Sequence, residues 1–372
     1  MNVDFSGSSV IQLTHLDLVW YLPRELVLLH IDMEMKCDME KAITLRHGDG
    51  GKYTDSLIRE IFYKHFDNPL LVSSIDSSVF EVNQGRLAFT TDSFVVKPLV
   101  FSGGDIGKLA VCGTINDLVV AGAKPLYLSC GFIIEEGFEI ELLDKIAESM
   151  GQTCKKAGVN IITGDTKVVE KGSADGIFIT TSGIGIVQCG YQPKPICEDD
   201  EIIITGGVAE HGTTIAVERY GIKVEGNISS DCMPLNNILK GIQKHMDCIK
   251  LMKDPTRGGL ATALNEIAEI SGMGIYMFEE SIPISKEVKA VNELLGIDPL
   301  YLASEGRMII VVEQYRSSEV LNDIRQFQGC EDSRIIGHFV SNKTYPKVVM
   351  ETYIGGRRII GTLEGHMLPR IC

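Results

Sequence analysis

Four aspartates stand at positions that a solvated surface explains poorly. Asp92 interrupts an apolar, strand-like stretch, and Asp117 lies in an otherwise apolar, helix-like one. Asp165 follows the apolar residues of ITGDTK, and Asp254 opens the segment DPTRGG. Each of them alone is more typical of a helix cap or a turn. All four together indicate shared chemistry, because a carboxylate at the end of a buried element is unfavourable unless it is paired or metal-bound. Mg²⁺ prefers a few carboxylates together with substrate phosphates, so the set predicts a magnesium site.

Two glycine-rich segments indicate that the phosphates belong to a nucleotide. HGDGGK contains Gly50, Gly51 and Lys52, and DPTRGG contains Thr256 and Arg257. Backbone amides that glycines leave free at a helix N-terminus bind phosphate, and Lys or Arg adds positive charge. The GxxxxGK pattern of P-loop proteins is absent. The sequence therefore predicts a nucleotide site outside the P-loop class.

The cysteines indicate a different kind of chemistry. Ten of them are spread along the chain without a CxxC pair, which argues against a clustered zinc module. We expect nine to be small buried hydrophobes in a reducing cytosol. The tenth, Cys372, is the last residue, whereas a prenylation signal needs a cysteine fourth from the end. An accessible terminal thiol is a candidate nucleophile.

Composition limits the class of protein. The 372 residues suggest two or three domains, and 44% hydrophobic with 23% charged residues is typical of a globular chain. The net charge of −15 argues against nucleic-acid binding, so an anionic ligand must be held by a local device. The apolar-rich stretch 10–31 is interrupted by charged residues and Pro23, which fits neither a signal peptide nor a membrane span. We therefore expect a cytoplasmic protein without membrane association.

The elements that must position these residues follow from apolar periodicity. In the first half we predict helices at 55–66, 106–120 and 139–157, the last ending at Gly158, and strands at 87–96, 126–134, 159–163 and 177–187. The proline-containing acidic stretch 190–200 indicates a domain boundary. In the second half we predict strands at 202–205, 307–313 and 346–353 and helices at 211–219, 235–244 and 258–270. The predicted organisation is an extension (1–40), two domains (41–190 and 191–354) and a flexible tail (355–372).

Several of these stretches resemble one known family. GGDIGKLAVCGTINDLVVAGAKPLYLS, GDTKVV, DPTRGGLATALNEIAE and the terminal PRIC look like the HypE family of NiFe-hydrogenase maturation proteins. That family belongs to an ATP-binding group with aminoimidazole ribonucleotide synthetase and selenophosphate synthetase. The resemblance runs from Lys41 to Cys372, and PRIC is its most specific part. It implies an α+β, two-domain PurM-like fold, in which an N-terminal α/β domain forms a β-barrel interface with a second copy, followed by a C-terminal α/β domain and a mobile tail.

The resemblance also implies an activity. HypE-like proteins receive a carbamoyl group on the terminal cysteine from the carbamoyltransferase HypF and use ATP to dehydrate the thiocarboxamide to a thiocyanate. The cyanide then becomes a ligand of the hydrogenase iron. An amide oxygen is a poor leaving group, and phosphorylation of that oxygen makes it a better one. A base must then remove the protons on nitrogen. The implied cofactors are ATP and Mg²⁺, and the implied partners are HypF, the iron-carrying HypC–HypD complex and a second copy of the chain.

Specific residues take the family's roles in this chain. Cys372 is the implied carbamoyl carrier, and Lys167 and Glu305 are the implied acid–base residues. A lysine beside Asp165 is ordinarily read as an ion pair, but in a closed pocket such a lysine can transfer a proton. The predicted nucleotide site consists of Gly50, Gly51, Lys52, Asp92, Asp117, Asp165, Thr166, Asp254, Thr256 and Arg257.

Two other functions fit the same nucleotide site. One is an ATP-dependent synthetase or kinase of this fold that acts on a free small molecule. The other is a non-catalytic nucleotide-binding scaffold for maturation factors. The terminal PRIC argues against the first, because such an enzyme needs no cysteine at its chain end, and the complete Asp and Lys set argues against the second.

The extension yields a first prediction, since residues 1–40 have no counterpart in the family pattern. A chain that begins at Met39 should fold and bind ATP as the full chain does. Melting temperature and ATP affinity, measured side by side, check this. A large drop in melting temperature would instead show that Trp20 and its neighbours pack into the fold.

Overall fold

The structure, a computed structural model, describes residues 41–48, 52–73, 80, 85–341 and 348–362. The described residues from Ala42 onward belong to one compact unit. None of the helices in these ranges is long and apolar enough to cross a membrane. The predicted extension 1–40 lies outside the described residues.

A helical segment precedes the first sheet, close to the span predicted for it. Its parts are α1 (Lys52–Leu57), a π-helical stretch (Ile58–Tyr63), α2 (Lys64–Phe66) and α3 (Pro69–Ser73). The apolar spacing that predicted this helix buries Ile61, Phe62 and Phe66. The Phe62 ring stacks on Phe132, with centroids 4.5 Å apart, and so fixes the segment against the first sheet.

The first half of the chain builds a four-stranded sheet. Its strands and a small hairpin are β1 (Leu87–Phe94), β2 (Val100–Phe101), β3 (Gly104–Asp105), β4 (Ala123–Glu135), β5 (Asn160–Val169) and β6 (Ile177–Val187). The sheet has the order β1-β6-β4-β5, so β1 and β5 are its two edges. All four predicted strands are confirmed, and β4 and β5 are longer than predicted.

Two long helices accompany this sheet. They are α4 (Ile106–Val120) and α5 (Ile140–Ala157), and both were predicted. The Asp105 side chain begins α4 by accepting hydrogen bonds from the N–H groups of Gly107 (2.7 Å) and Lys108 (3.0 Å). Gly158, with φ +68°, ends α5 in the left-handed conformation expected of a C-terminal glycine.

The second half builds a seven-stranded sheet. Its strands are β7 (Glu201–Ile204), β8 (Ile249–Lys253), β9 (Gly274–Phe278), β10 (Ile309–Val312), β11 (Arg334–Val340), β12 (Val348–Glu351) and β13 (Arg357–Ile359). Their order is β13-β12-β9-β11-β7-β10-β8. The apolar runs of β7 and β10 are buried and pair with each other antiparallel, which explains why both were recognisable in the sequence.

Helices connect these strands. They are α6 (Glu210–Tyr220), α7 (Asn236–Ile242), α8 (Gly259–Ser271), α9 (Lys286–Leu295) and α10 (Ser317–Ile324). The predictions for α6, α7 and α8 are confirmed, as are those for β7, β10 and β12. The sequence analysis missed β8, β9, β11, α9 and α10, most of which are short and interrupt their apolar pattern with charged residues.

The segment after Gly355 differs from its prediction as the start of a flexible tail. Arg357–Ile359 forms the edge strand β13, paired antiparallel with β12. Ile360 is buried, and the Asn265 side chain donates to its carbonyl oxygen at 3.0 Å. In the sequence, the two glycines looked like the end of regular structure. The turn that contains them instead reverses the chain direction and leads into one more strand. Residues 363–372, including Cys372, lie outside the described residues.

The prediction of buried cysteines is confirmed for six of the eight that the structure describes. Cys189 and Cys197 are exposed instead. Both belong to the connection between the two sheets, which runs over the surface as such connections usually do.

Helix α4 links the two halves. Twelve of its fifteen residues are buried, because it contacts β1, β4 and β6 on one side and α5, α7 and β8 on the other. A helix that is enclosed in this way is apolar all round. The polar residues Asn116 and Asp117 are therefore exceptions within it, and they mark where the two halves meet.

Candidate functional site

A small cavity lined by acidic residues lies where α4 meets the second half of the chain. We call it the carboxylate cavity; it has a volume of about 110 Å³ and is lined by Asp92, Asp117, Asp254 and Glu305 together with Thr256 and Arg257. A cavity of this size has room for several water molecules or for a group the size of phosphate.

Close packing of β1 on α4 brings the first two carboxylates together. A Cβ atom at Gly113 would lie 2.8 Å from the Phe94 ring, so only glycine allows β1 to approach α4 this closely. Thr90 of β1 donates its hydroxyl hydrogen to Asp117 Oδ2 at 2.7 Å. Asp92, two residues further along β1, therefore faces the same cavity as Asp117.

The loop between β8 and α8 contributes Asp254, Thr256 and Arg257. Gly258 and Gly259 have φ values of +74° and +62°, and a Cβ atom at Gly259 would lie 2.5 Å from a carbonyl oxygen of the neighbouring loop. The Gly259 N–H donates a hydrogen bond to the carbonyl oxygen of Thr256 at 2.9 Å. This N–H therefore stabilises the turn and is not free to bind a phosphate. Arg257 is exposed, with Nη2 3.6 Å from Asp92 Oδ1, and is the cation of this loop that can reach an anion.

Glu305 closes the cavity from the segment before β10. It is only 3% exposed, and among the described residues its Oε1 atom has no hydrogen-bond partner. Burial raises the pKa of Glu305 well above the ordinary value, and the negative charges of Asp254 and Asp231 raise it further. The side chain is thus a carboxyl group of high proton affinity that is largely shielded from bulk solvent.

The other carboxylates of the cavity are also destabilised by their surroundings. Burial, followed by the charge of Asp117, raises the pKa of Asp254 to about 6. Burial raises the pKa of Asp117, and the hydrogen bond from Thr90 opposes this. Like charges gathered in one cavity are relieved by a bound cation, so Asp92, Asp117 and Asp254 fit a divalent metal ion. Within the described part of the chain no three such side chains enclose a metal site by themselves. Mg²⁺ in proteins takes only a few protein ligands and completes its shell with phosphate and water.

Asp165, Thr166 and Lys167 lie elsewhere, which corrects the expectation of a four-aspartate cluster. They belong to β5, at the edge of the sheet opposite to β1. The sequence indicated a buried strand because Ile161 and Ile162 are buried, but β5 continues beyond them to the surface. Lys167 Nζ lies 2.8 Å from Asp165 Oδ1, and both side chains are about two-thirds exposed (63% and 66%).

A second cavity, of about 310 Å³, adjoins these three residues. Aromatic side chains of the helical segment and of β4, such as Phe62 and Phe132, line much of it. One chain therefore holds Lys167 and Glu305 in two different cavities. Of the glycine-rich segment, Gly50 and Gly51 lie outside the described residues, and Lys52 is described only as the first residue of α1.

The sequence analysis missed three polar residues next to this site: Asn116, Asp231 and Arg307. All three are buried and contact the segment that carries Glu305 or belong to it. Asn116 stands beside Asp117 in an apolar helix, which is a signal that the sequence does contain. Asp231 lies in an irregular loop, SSDCMP, that shows no pattern.

Known proteins share both halves of this architecture. Residues 74–187 match the model of the AIR synthase related protein N-terminal domain, and residues 198–348 match that of the C-terminal domain. Carbamoyl dehydratase HypE of Bradyrhizobium diazoefficiens is 45% identical over 333 residues, which cover 89% of this chain and 96% of that protein.

Solved structures agree with this likeness. A crystal structure of hydrogenase maturation protein HypE in complex with ATP is 41% identical, with a TM-score of 0.85 over 88% of this chain and 99% of its own. A crystal structure of a HypE–HypF complex is 43% identical, with a TM-score of 0.72 over 83% of this chain and 100% of its own.

The raised pKa of Asp254 predicts that this residue opposes folding in the absence of a cation. Its pKa rises from 3.8 to about 6 on folding, so the protonated form is favoured and stability falls as pH rises from 4 to above 6. This corresponds to on the order of 2–3 kcal/mol. Asp254→Asn should therefore be more stable than the unchanged protein at pH 7.5 and equally stable near pH 4.

Thermal unfolding at both pH values, with and without Mg²⁺, measures this effect. Mg²⁺ should raise the melting temperature of the unchanged protein more than that of the variant. A variant that is less stable at pH 7.5 would show that Asp254 is favourably paired and would contradict the prediction.

Proposed function

We propose, since this chain belongs to the HypE family of AIR synthase-related proteins, that it is an ATP-using enzyme of hydrogenase maturation that dehydrates a carbamoyl group carried on its own Cys372. The observation that supports this most directly is Glu305, a buried carboxyl of raised pKa beside aspartates that suit magnesium and phosphate. The ATP-bound relative, 41% identical, supports the choice of nucleotide.

The proposed reaction has two steps. In the first, the oxygen of the thiocarboxamide attacks the γ-phosphorus of ATP, the bond from that phosphorus to the β–γ bridging oxygen breaks, ADP leaves, and nitrogen loses one proton. In the second, the bond between carbon and the phosphorylated oxygen breaks, phosphate leaves, and nitrogen loses its other proton. A carbon–nitrogen triple bond remains on the sulfur, and overall the tail loses one water while ATP becomes ADP and phosphate.

The carboxylate cavity suits the phosphate end of this reaction. Asp92, Asp117 and Asp254 would hold the magnesium ion, which offsets negative charge on the transferred phosphoryl group when it is bound. Arg257 is exposed at the mouth of the cavity and would pair with a phosphate oxygen. The cavity would take the γ-phosphate end of ATP, and the remainder of the nucleotide would lie outside it.

Glu305 suits the removal of protons from nitrogen. A carboxylate with the ordinary Glu pKa is a weak base, whereas a carboxylate of raised proton affinity takes up a proton more readily. Its burial also keeps water away from an intermediate that water would hydrolyse. We assign Glu305 the role of the base that faces the phosphorylated oxygen and its carbon.

The tail is long enough to bring its cysteine to this cavity. Ile360 is buried and held by Asn265, so the reach is counted from there. The twelve steps to Cys372 span at most about 40 Å at 3.3 Å each. An arm of this length serves both an internal site and an external carbamoyl donor. The donor we propose is HypF, which the complex between relatives supports, with the HypC–HypD complex as the cytoplasmic acceptor of cyanide.

The first sheet provides a surface for the proposed homodimer. The helices cover one face of the sheet, while the other face carries the exposed apolar side chains Leu87, Phe89 and Ile133. A second copy packed on this face would bury them. It would also bring a second β5 strand, with the partner's Lys167, to the assembly, which matters because Lys167 and Glu305 of one chain lie apart.

Phe89→Asp should therefore convert a dimer into a monomer, because it puts charge into the proposed apolar interface. Leu294→Asp is the matched control, since Leu294 of α9 is 74% exposed and Phe89 is 73% exposed. Light scattering after size exclusion gives the mass of each variant. A Phe89→Asp protein that remains dimeric would exclude this face as the interface.

Substitutions in the tail and substitutions in the site should block different steps of the reaction. Cys372→Ala should abolish carbamoyl acceptance, because no thiolate remains at the chain end, and should leave ATP binding within about twofold. Cys189→Ala, which removes a different exposed thiol, is the control and should behave as the unchanged protein. Glu305→Gln and Lys167→Ala should still be carbamoylated but should dehydrate about 10²–10⁴-fold more slowly, the usual contribution of proton transfer.

Mass spectrometry of the C-terminal peptide, after incubation with HypF and its carbamoyl donor, measures both steps. The carbamoyl form should lose one water only when ATP is present. A cyano group on the Cys372→Ala protein would place the nucleophile at another cysteine. Unchanged rates in both Glu305→Gln and Lys167→Ala would contradict the acid–base assignment alone.

A further inference from the structure

We propose that Asn116 and Asp231 are positioning residues that hold Glu305 in place through its backbone, one on each side of its peptide units. The inference rests on the proposed function, in which Glu305 acts on the carbamoyl group of the tail. It concerns two residues to which the predicted site gave no role.

Asn116 holds the carbonyl side. Its Nδ2 atom donates to the carbonyl oxygen of Glu305 at 2.9 Å and to that of Met233 at 3.1 Å. Its Oδ1 atom accepts from the N–H of Leu235 at 2.9 Å. One side chain of α4 thus uses its whole amide group to bind two loops of the second half.

Asp231 holds the amide side. Its Oδ1 atom accepts from the N–H of Glu305 at 3.1 Å, and its Oδ2 atom lies 3.4 Å from Arg307 Nε. The side chain of Asp231 is fully buried. Arg307 is held in turn by the Glu210 carboxylate at 2.7 Å and by the carbonyl oxygens of Gly207 (3.0 Å) and Gly329 (2.9 Å).

Close packing adds to the hydrogen bonds that hold this segment. Gly306 follows Glu305 and leaves so little space that a Cβ atom there would lie 1.9 Å from the Asp231 carbonyl oxygen. Asp231 and Arg307 also line a cavity of about 550 Å³. The backbone of Glu305 is therefore fixed by close contact with the Asp231 loop and by hydrogen bonds from Asn116 and to Asp231.

The Glu305 side chain depends on this support. Its Oε1 atom is buried without a hydrogen-bond partner among the described residues. The location of the carboxyl group thus follows from the location of its backbone. A displacement of about 1 Å at a reacting group can lower a rate about 10²-fold.

The experiment compares dehydration rates in a single turnover of carbamoylated protein. Asn116→Ala and Asp231→Ala should each slow the loss of water about 10–100-fold, while ATP affinity and carbamoylation of Cys372 stay within about twofold. Asp231→Asn keeps an oxygen for the Glu305 N–H and should recover most of the rate. Asn292→Ala is the control: Asn292 is fully buried, and its amide donates to Thr213 (2.7 Å) and Val288 (2.8 Å) and not to the backbone of Glu305.

A double-mutant cycle separates positioning from general destabilisation. If Asn116 acts through Glu305, Asn116→Ala should have little further effect once Glu305→Gln is present. The dependence of the single-turnover rate on pH should also move in Asn116→Ala, because a displaced Glu305 changes its surroundings. Asn292→Ala should match its loss of melting temperature without either effect.

The outcomes distinguish the two proposals. If the unchanged protein loses no water from the carbamoyl form with ATP, the proposed function fails. If it does so but Asn116→Ala and Asp231→Ala react at its rate, or slow Glu305→Gln by a further 10-fold or more, the positioning role is wrong and the function stands. If Asp231→Asn is as slow as Asp231→Ala, the charge of Asp231 matters and the backbone hydrogen bond does not.

Discussion

The burial of Glu305 among other carboxylates is the constraint around which the rest of this structure is organised. A buried carboxyl group without a side-chain partner is unfavourable, so its surroundings must be rigid enough to keep it from moving to water. The rigidity comes from α4, a helix enclosed on nearly all sides. That enclosure explains why Asn116 can bind loops of the second half, and why the close contact of β1 with α4 at Gly113 brings Asp92 to the same place.

The same arrangement explains why the site is unfavourable to stability. Asp117, Asp254 and Glu305 all have raised pKa values, with burial as the first cause of each. Neutralising substitutions would relieve this repulsion, yet these negative charges are what a bound cation would require, and in the proposed reaction that cation offsets the charge of the phosphoryl group. The molecule retains unfavourable electrostatics at one cavity and offsets them with the extensive apolar packing of its two sheets. Such local conflict is expected at functional sites and rare elsewhere.

Much of this was accessible from the sequence, for identifiable reasons. Long apolar runs such as β7 and β10, and strongly periodic helices such as α5, are recognisable in the sequence. Burial of one face of a regular element gives its sequence a regular pattern of apolar residues. Asp92 and Asp117 were found because each interrupts such a pattern, and Asp254 was found because it opens the DPTRGG segment. Asp165 was grouped with them, but within one chain it lies at the opposite edge of the sheet: a polar residue after two buried isoleucines looks the same whether the strand ends in a site or continues to an exposed edge. Glu305 came only from the family resemblance, and Asp231 was missed, because irregular loops leave no periodic signal.

The position of Lys167 implies that the proposed reaction needs movement of the tail or a second copy of the chain. Lys167 and Glu305 face different cavities, on β5 and next to β1, with two strands of the sheet between those edges. Adjacent strands lie about 4.8 Å apart, so the two edges are about 14 Å from each other, farther than a lysine side chain reaches. A single carbamoyl group cannot contact both side chains of one chain without movement. In the proposed reaction, either the arm would carry its thiol from one cavity to the other between steps, or a second copy would supply the lysine. In both cases the proposed acid–base pair would be completed by assembly or motion around a fixed Glu305, so a fixed backbone at that residue would matter more than a fixed lysine.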